Sequence, residues 1–212
     1  MLNVKQLNII KEKMDDQTLI AVTKYVDEDA IRALANQGVF NVGENRVKVF
    51  LEKYNSIDDT RIIWHFIGHL QSKKVKKMIQ DIDYLHSLDR MSLVKEVQKH
   101  REKPLSCFIE VNISGEDSKY GLSEEKVFDF YHKVKEYDKI NVIGLMGMAK
   151  HTDDNNLIRK NFQILCDLKE QIEDSDDIKL KLSMGMSNDY QIAIDMGASY
   201  LRIGSLLFKE ED

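Results

Sequence analysis

Short apolar runs rich in β-branched and aromatic residues recur along this chain, and between them the apolar period lengthens toward that of a helix. Eight runs read as strands: TLIAVTK (18–24), VFNVGEN (39–45), RIIWHFIG (61–68), DYLHSLD (83–89), SCFIEVNIS (106–114), INVIGLMGM (140–148), IKLKLS (178–183) and SYLRIG (199–204). Several are apolar on successive residues, as expected when both faces of a parallel sheet are covered. Between them, Ala30, Ile31, Leu34 and Ala35 share one helical face, with Asp27 placed to cap its start and Gly38 to end it. Val47, Phe50, Leu51 and Tyr54 make a second face, and Val127, Tyr131 and Val134 a third behind a Ser123 cap. Leu157, Ile164, Leu165, Leu168 and Ile172 line the longest helix, and Ser187 or Asn188 is placed to cap a short one ending at Gly197. A further helix bearing Val4, Leu7, Ile10 and Met14 precedes the first strand.

Eight strands alternating with helices predict an α/β fold, a (β/α)8 TIM barrel with an extra N-terminal helix, as one domain over 1–212. A doubly wound open sheet would share the alternation, and the strand count favours the barrel. At 212 residues and 42% apolar composition the chain has enough material for one large core, and a single proline argues against long linkers.

Charge and targeting signals narrow the function classes. The net charge of −5 gives no global pull toward nucleic acid or anionic membrane. No run approaches the ~18 apolar residues of a membrane span. The charged start MLNVKQLNIIKEKM lacks the apolar region of a signal peptide. Cys107 and Cys166 share no metal-type spacing and form no framework, so a reducing, cytoplasmic setting is expected.

In a barrel, reacting groups come from the C-terminal ends of the strands, because those loops converge on one mouth. Lys24, Asn45, His69, Ser87, Asp89, Asn112, Ser183, Arg202, Gly204 and Ser205 all fall there. Lys24 directly follows an apolar run, and partial desolvation favours the neutral, nucleophilic form of an amine. Gly204 lets the backbone approach an anion, and Ser205, Ser183 and Ser187 add hydroxyls where barrels often hold phosphate. An amine facing an anion cradle suits a phosphorylated aldehyde of the pyridoxal type, held through a lysine imine. Asn45 and the methionines of LMGM (145–148) are placed to contact its ring, although each has an ordinary structural role as a cap or core residue. The histidines His65 and His69 have no carboxylate or cysteine beside them in sequence, so no metal is expected. Lys73, Lys74, Lys76 and Lys77 read as a solvated helix face without interleaved aromatics, so no nucleic-acid partner is expected.

The segments AVTKYV, FNVGEN, WHFIGHLQSKK, IEVNIS, KYGLS, GLMGM, LSMGMSNDYQIAI and LRIGSLLF resemble, in order and spacing, the pyridoxal phosphate homeostasis proteins. That group is similar to the N-terminal barrel of alanine racemase. The resemblance implies a fold-type III barrel in which Lys24 forms the Schiff base with pyridoxal 5'-phosphate. It places Ser183, Ser187, Gly204 and Ser205 on or beside the phosphate, Arg202 at the pyridine nitrogen, and Asn45 and Met146 near the cofactor. The chain departs from the family's usual Ser-Lys-Thr-Lys with Thr23-Lys24-Tyr25-Val26, has Lys73 after Gln-Ser in place of asparagine, and carries Lys48 for a frequent glutamine.

An arginine beside the pyridine nitrogen keeps that nitrogen unprotonated, which weakens the ring as an electron sink. Racemases of this arrangement add an opposing tyrosine from a second domain and a partner subunit. The sequence closes at Asp212, just after the eighth strand, so that domain is not expected, and no residue is convincingly nominated to replace it. The resulting expectation is a monomeric vitamin B6 carrier that buffers or delivers the cofactor, with cofactor-dependent apoenzymes as recipients. The alternative is a weak amino-acid racemase or decarboxylase.

Overall fold

In the computed structural model, which describes residues 1–208, the eight strands close into one parallel barrel in sequence order. They are β1 (Thr18–Val22), β2 (Asn41–Glu44), β3 (Ile63–Phe66), β4 (Tyr84–Leu88), β5 (Leu105–Val111), β6 (Ile140–Gly147), β7 (Lys181–Ser183) and β8 (Tyr200–Ile203). Closure comes from β1 and β8, where Thr18 pairs with Tyr200 and Ala21 with Ile203. Every strand therefore has two neighbours, and the open-sheet alternative is excluded. The strands are shorter than the apolar runs, in most cases because the run continues into the turn that follows. Lys24, for example, stands beyond Val22 in a turn closed by the Val26 N–H donating to the Thr23 carbonyl at 3.1 Å.

The helices are α1 (Val4–Glu12), α2 (Glu28–Asn36), α3 (Val47–Ser56), α4 (Met91–His100), α5 (Glu124–Val134), α6 (Asn155–Asp176), α7 (Tyr190–Asp195) and α8 (Ser205–Phe208). Asp27 caps α2 by accepting the Ala30 N–H at 3.1 Å, and Gly38 follows that helix at φ +73°, a left-handed conformation that a side chain would disfavour. Two other caps differ from expectation. The Ser123 hydroxyl donates to the Glu125 carboxylate at 2.5 Å and receives no amide. Helix α7 begins after Asp189, because the Ser187 hydroxyl is taken by the Leu206 amide. After β3 the expected lysine-bearing helix is a 3₁₀ turn, Ser72–Lys77, in which only Val75 is buried. One apolar anchor among four lysines gives too little packing to sustain α-helical turns.

Two hydrophobic layers result. The larger fills the space between barrel and helices, with Leu7, Ile31, Phe50, Val94, Val127 and Phe162 among its fully buried members. A second, smaller cluster of Ile20, Phe108, Met146 and Tyr200 plugs the barrel interior. The Phe108 and Tyr200 rings meet edge to face with centroids 5.2 Å apart, so the barrel is a packed core below its mouth. Full burial of one such large apolar side chain contributes ~1.5–3 kcal/mol. No helix among the described residues is long and apolar enough to cross a membrane.

Candidate cofactor-binding site

The turns after the strands enclose a cavity of ≈ 620 Å³ at the C-terminal mouth of the barrel. Lys24, Asn45, Ser187, Arg202, Gly204 and Ser205 all line it. Two other candidates from the sequence do not. Met146 is buried beneath the cavity among Ile20, Phe108 and Tyr200, and Met148, two residues on, takes the wall position. The Ser183 side chain also lies inside the barrel, where it bonds Arg202 and His86. Both residues sit one pleat short of the mouth because their strands point them inward. Asn112 and Ser87 are not on the wall either: the Asn112 amide ties down its own loop through the Glu116 carbonyl at 2.9 Å, and Ser87 is fully buried.

Lys24 is half-buried, with its Nζ 4.9 Å from the centroid of the exposed Tyr25 ring. Arg202 is only 4% exposed, donates from Nη1 to the Ser183 hydroxyl at 2.7 Å, and donates from Nη2 to the Gly147 carbonyl at 2.9 Å. Burial lowers its pKa to about 10, opposed first by the Asp189 charge, so it remains a cation at neutral pH. Also on the wall, Gly204 passes so close to β1 that a Cβ there would stand 3.1 Å from the Val22 carbonyl oxygen. Asn45 is held in a similar way. A Cβ at Gly68 would lie 2.3 Å from the Asn45 carbonyl oxygen, so only glycine lets the end of β3 pass.

The wall also carries His69, which the sequence places at the mouth, and two residues that sequence reasoning missed, Glu110 and Tyr120. Glu110 on β5 is 4% exposed, and its Oε2 is buried without a hydrogen-bond partner among the described residues. Burial, then the nearby Asp89, pushes its pKa up to about 8, so it holds its proton at neutral pH. His69 stacks on Tyr120 with ring centroids 3.9 Å apart and planes 18° apart, and its Nδ1 is 3.6 Å from Asp89 Oδ2. Burial, then the Arg90 charge, lowers the His69 pKa. The signal for Glu110 was present in the sequence, as a lone carboxylate inside the apolar run SCFIEVNIS. That Tyr120 would fold back over His69 was not legible.

The Lys24 amine, a buried guanidinium, a neutral carboxyl, a hydroxyl-bearing turn and a glycine backbone thus face one cavity. This donor set fits a flat ring bearing an aldehyde and a phosphate. The alanine racemase N-terminal domain family matches residues 4–212. The chain belongs to that family. Its curated relatives include the pyridoxal phosphate homeostasis protein of Aquifex aeolicus, 38% identical over 91% of this chain and 86% of the relative. The protein of the same name from Schizosaccharomyces pombe is 35% identical over 90% of this chain and 82% of the relative. Among solved structures, PipY of Synechococcus elongatus without PLP superposes with a TM-score of 0.90 at 25% identity, covering 97% of this chain and 99% of PipY.

Proposed function

We propose that this chain binds pyridoxal 5'-phosphate at the barrel mouth, attached to Lys24, and contributes to cofactor homeostasis by buffering or delivery. The observation that carries the reading is the convergence of Lys24, Asn45, Arg202, Ser187, Gly204 and Ser205 on one cavity, from four different strand ends. The names of the curated relatives point the same way. When bound, the cofactor supplies an aldehyde that an unprotonated amine attacks with loss of water. The chain's own groups do the rest. The turn at Gly204 and Ser205, with Ser187 tied to it through the Leu206 amide, receives the phosphate. Arg202 presents a fixed positive charge that disfavours protonation of the ring nitrogen. Tyr25 and Tyr120 flank the opening and limit water.

In this reading the protein works in the cytoplasm as a monomer and hands cofactor to apoenzymes. The test is mass spectrometry of protein mixed with pyridoxal phosphate and reduced with borohydride. A cofactor-sized addition on Lys24, absent in Lys24→Ala, is the expected result, and an unmodified Lys24 overturns the assignment.

A second reading, weak amino-acid racemisation or decarboxylation, draws support from the Glu110 carboxyl and the His69–Tyr120 pair on the wall, which are groups able to hold or move a proton. Its measure is exchange of the α-hydrogen of amino acids for deuterium. Turnover well above that of free cofactor and dependent on Lys24 would establish it.

A further inference from the structure

Behind the cavity wall, a file of polar side chains crosses the apolar barrel interior. Asn41 Oδ1 lies 2.9 Å from His65 Nε2, and His65 Nδ1 lies 2.9 Å from His86 Nε2. His86 Nδ1 lies 2.9 Å from Ser183 Oγ, which in turn accepts from Arg202 Nη1 at 2.7 Å. The five residues belong to β2, β3, β4, β7 and β8, so the file runs from the N-terminal edge of the barrel to the guanidinium on the cavity wall.

The direction of these bonds follows from the two ends. A guanidinium only donates, and a side-chain amide oxygen only accepts. Burial lowers the His65 pKa to about 3 and that of His86 well below its ordinary value, so each ring is neutral and has one donor and one acceptor nitrogen. One assignment then satisfies every atom. Arg202 donates to Ser183, Ser183 to His86 Nδ1, His86 Nε2–H to His65 Nδ1, and His65 Nε2–H to Asn41 Oδ1. Turning the Asn41 amide round reverses both imidazoles, and Ser183 then accepts from two sides while its own proton has no acceptor in the file. Aligned bonds of this kind polarise one another and resist rotation of any member. Stacking holds the rings in plane as well, His65 on Tyr84 and His86 on Phe108, each with centroids 4.4 Å apart.

We infer that Asn41, His65, His86 and Ser183 are positioning residues that fix the Arg202 guanidinium in one orientation toward the cavity. Ser183 and the Gly147 carbonyl take one N–H from each terminal nitrogen, so the group cannot turn about its Cζ–Nε bond without breaking one of them. The remaining N–H groups are left to meet a ligand. The consequence for a bound cofactor rests on the reading above that its ring nitrogen faces Arg202. The orientation of Arg202 itself does not.

The test therefore has two arms. In cofactor-free protein, nitrogen-15 NMR of the arginine side chains reads whether the Arg202 N–H groups rotate. Separate, slowly exchanging signals are expected in the parent, and averaged signals in His86→Phe and Asn41→Leu. The phenylalanine keeps the stack on Phe108 and removes only the bonds, and Asn41 lies at the far edge of the barrel from the cavity. His86→Gln, which offers both an acceptor and a donor, is expected to restore the parent pattern. In protein loaded with pyridoxal phosphate, the visible absorption maximum is expected to shift and cofactor release to quicken about fivefold or more in both breaking variants, with the borohydride-fixed Lys24 adduct retained. Arg202 signals in Asn41→Leu and His86→Phe identical to the parent would overturn the inference. If His86→Phe does not fold, Asn41→Leu decides alone. A parent that takes up no cofactor would defeat the functional reading and leave the first arm decisive.

Discussion

The Nζ of Lys53 donates at 2.6 Å to the carbonyl of Thr23, the residue immediately before the candidate nucleophile Lys24. The same nitrogen meets Glu44 Oε1 at 2.6 Å, and the Thr23 hydroxyl donates to that oxygen at 2.6 Å. Glu44 is 0% exposed and Lys53 4% exposed, so the pair is a buried clamp on the turn that aims Lys24. Removing one partner leaves an uncompensated buried charge, at a cost of ~3–5 kcal/mol. Lys53→Met is expected to lose stability on that scale in chemical denaturation and to weaken cofactor retention through the displaced turn. Adding Glu44→Leu should recover much of the stability while leaving Lys24 poorly aimed. A Lys53→Met protein as stable as the parent would show that the clamp is dispensable.

Glu110 gives a pH dependence of defined sign. Its folded pKa of about 8 lies above the ordinary 4.5, so across that interval the folded protein holds a proton that the unfolded chain has released. Stability therefore falls as pH rises through the window, and the penalty is complete above the folded value. Glu110→Gln removes the linkage. It is expected to match the parent near pH 4 and to exceed it by roughly 2–4 kcal/mol near pH 8. Parallel denaturation series at several pH values check this, and a constant offset between the two proteins would contradict it.

The His69–Tyr120 stack predicts a spectroscopic change. Tyr120 is 57% exposed yet covers the imidazole face, and burial is the largest cause of the lowered His69 pKa. Tyr120→Ala is expected to raise that pKa toward its ordinary value, with the Arg90 charge still holding part of the depression. An NMR titration of the His69 ring protons reads the shift directly. Stability should change little, since the ring is mostly solvent-facing.

The barrel was legible because eight β-rich runs, several of them apolar on successive residues, have few other ways to bury both faces. Lys24, Asn45, Arg202 and Gly204 were legible because each ends or follows such a run, and barrel topology sends those positions to one mouth. What stayed hidden depends on register. His86 and Ser183 stand 97 residues apart and meet only when β4 and β7 face each other across the closed interior. Lys53 lies on the helix after β2 and reads in sequence as one more surface lysine, until the 3.6-residue period turns it under the barrel with Val47 and Phe50. Met146 was misplaced by one pleat for the same reason. Its strand carries a register shift near Gly144, and Met146 and Met148 share the inward face, so Met148 reaches the wall while Met146 lies one layer deeper in the core.

Gly68 and Gly204 separate two ways of disturbing the same cavity. At Gly68 an added methyl would lie 2.3 Å from the Asn45 carbonyl oxygen and 2.7 Å from its Cα, against backbone that cannot swing aside. Gly68→Ala must therefore shift either the end of β3 or Asn45, and overpacking of this kind costs ~1–3 kcal/mol. At Gly204 the nearest atoms are the Val22 carbonyl oxygen at 3.1 Å and its Cβ at 3.2 Å, which a few tenths of an ångström of movement would relieve. Gly204→Ala is accordingly expected to fold with stability close to the parent. The relieving movement pushes the turn of Gly204 and Ser205 off the β1 edge, so the phosphate end of the cavity loosens. In competition binding, Gly204→Ala should lose affinity for pyridoxal 5'-phosphate while pyridoxal, which lacks the phosphate, binds as before. Equal losses for both vitamers would place the phosphate elsewhere in the cavity.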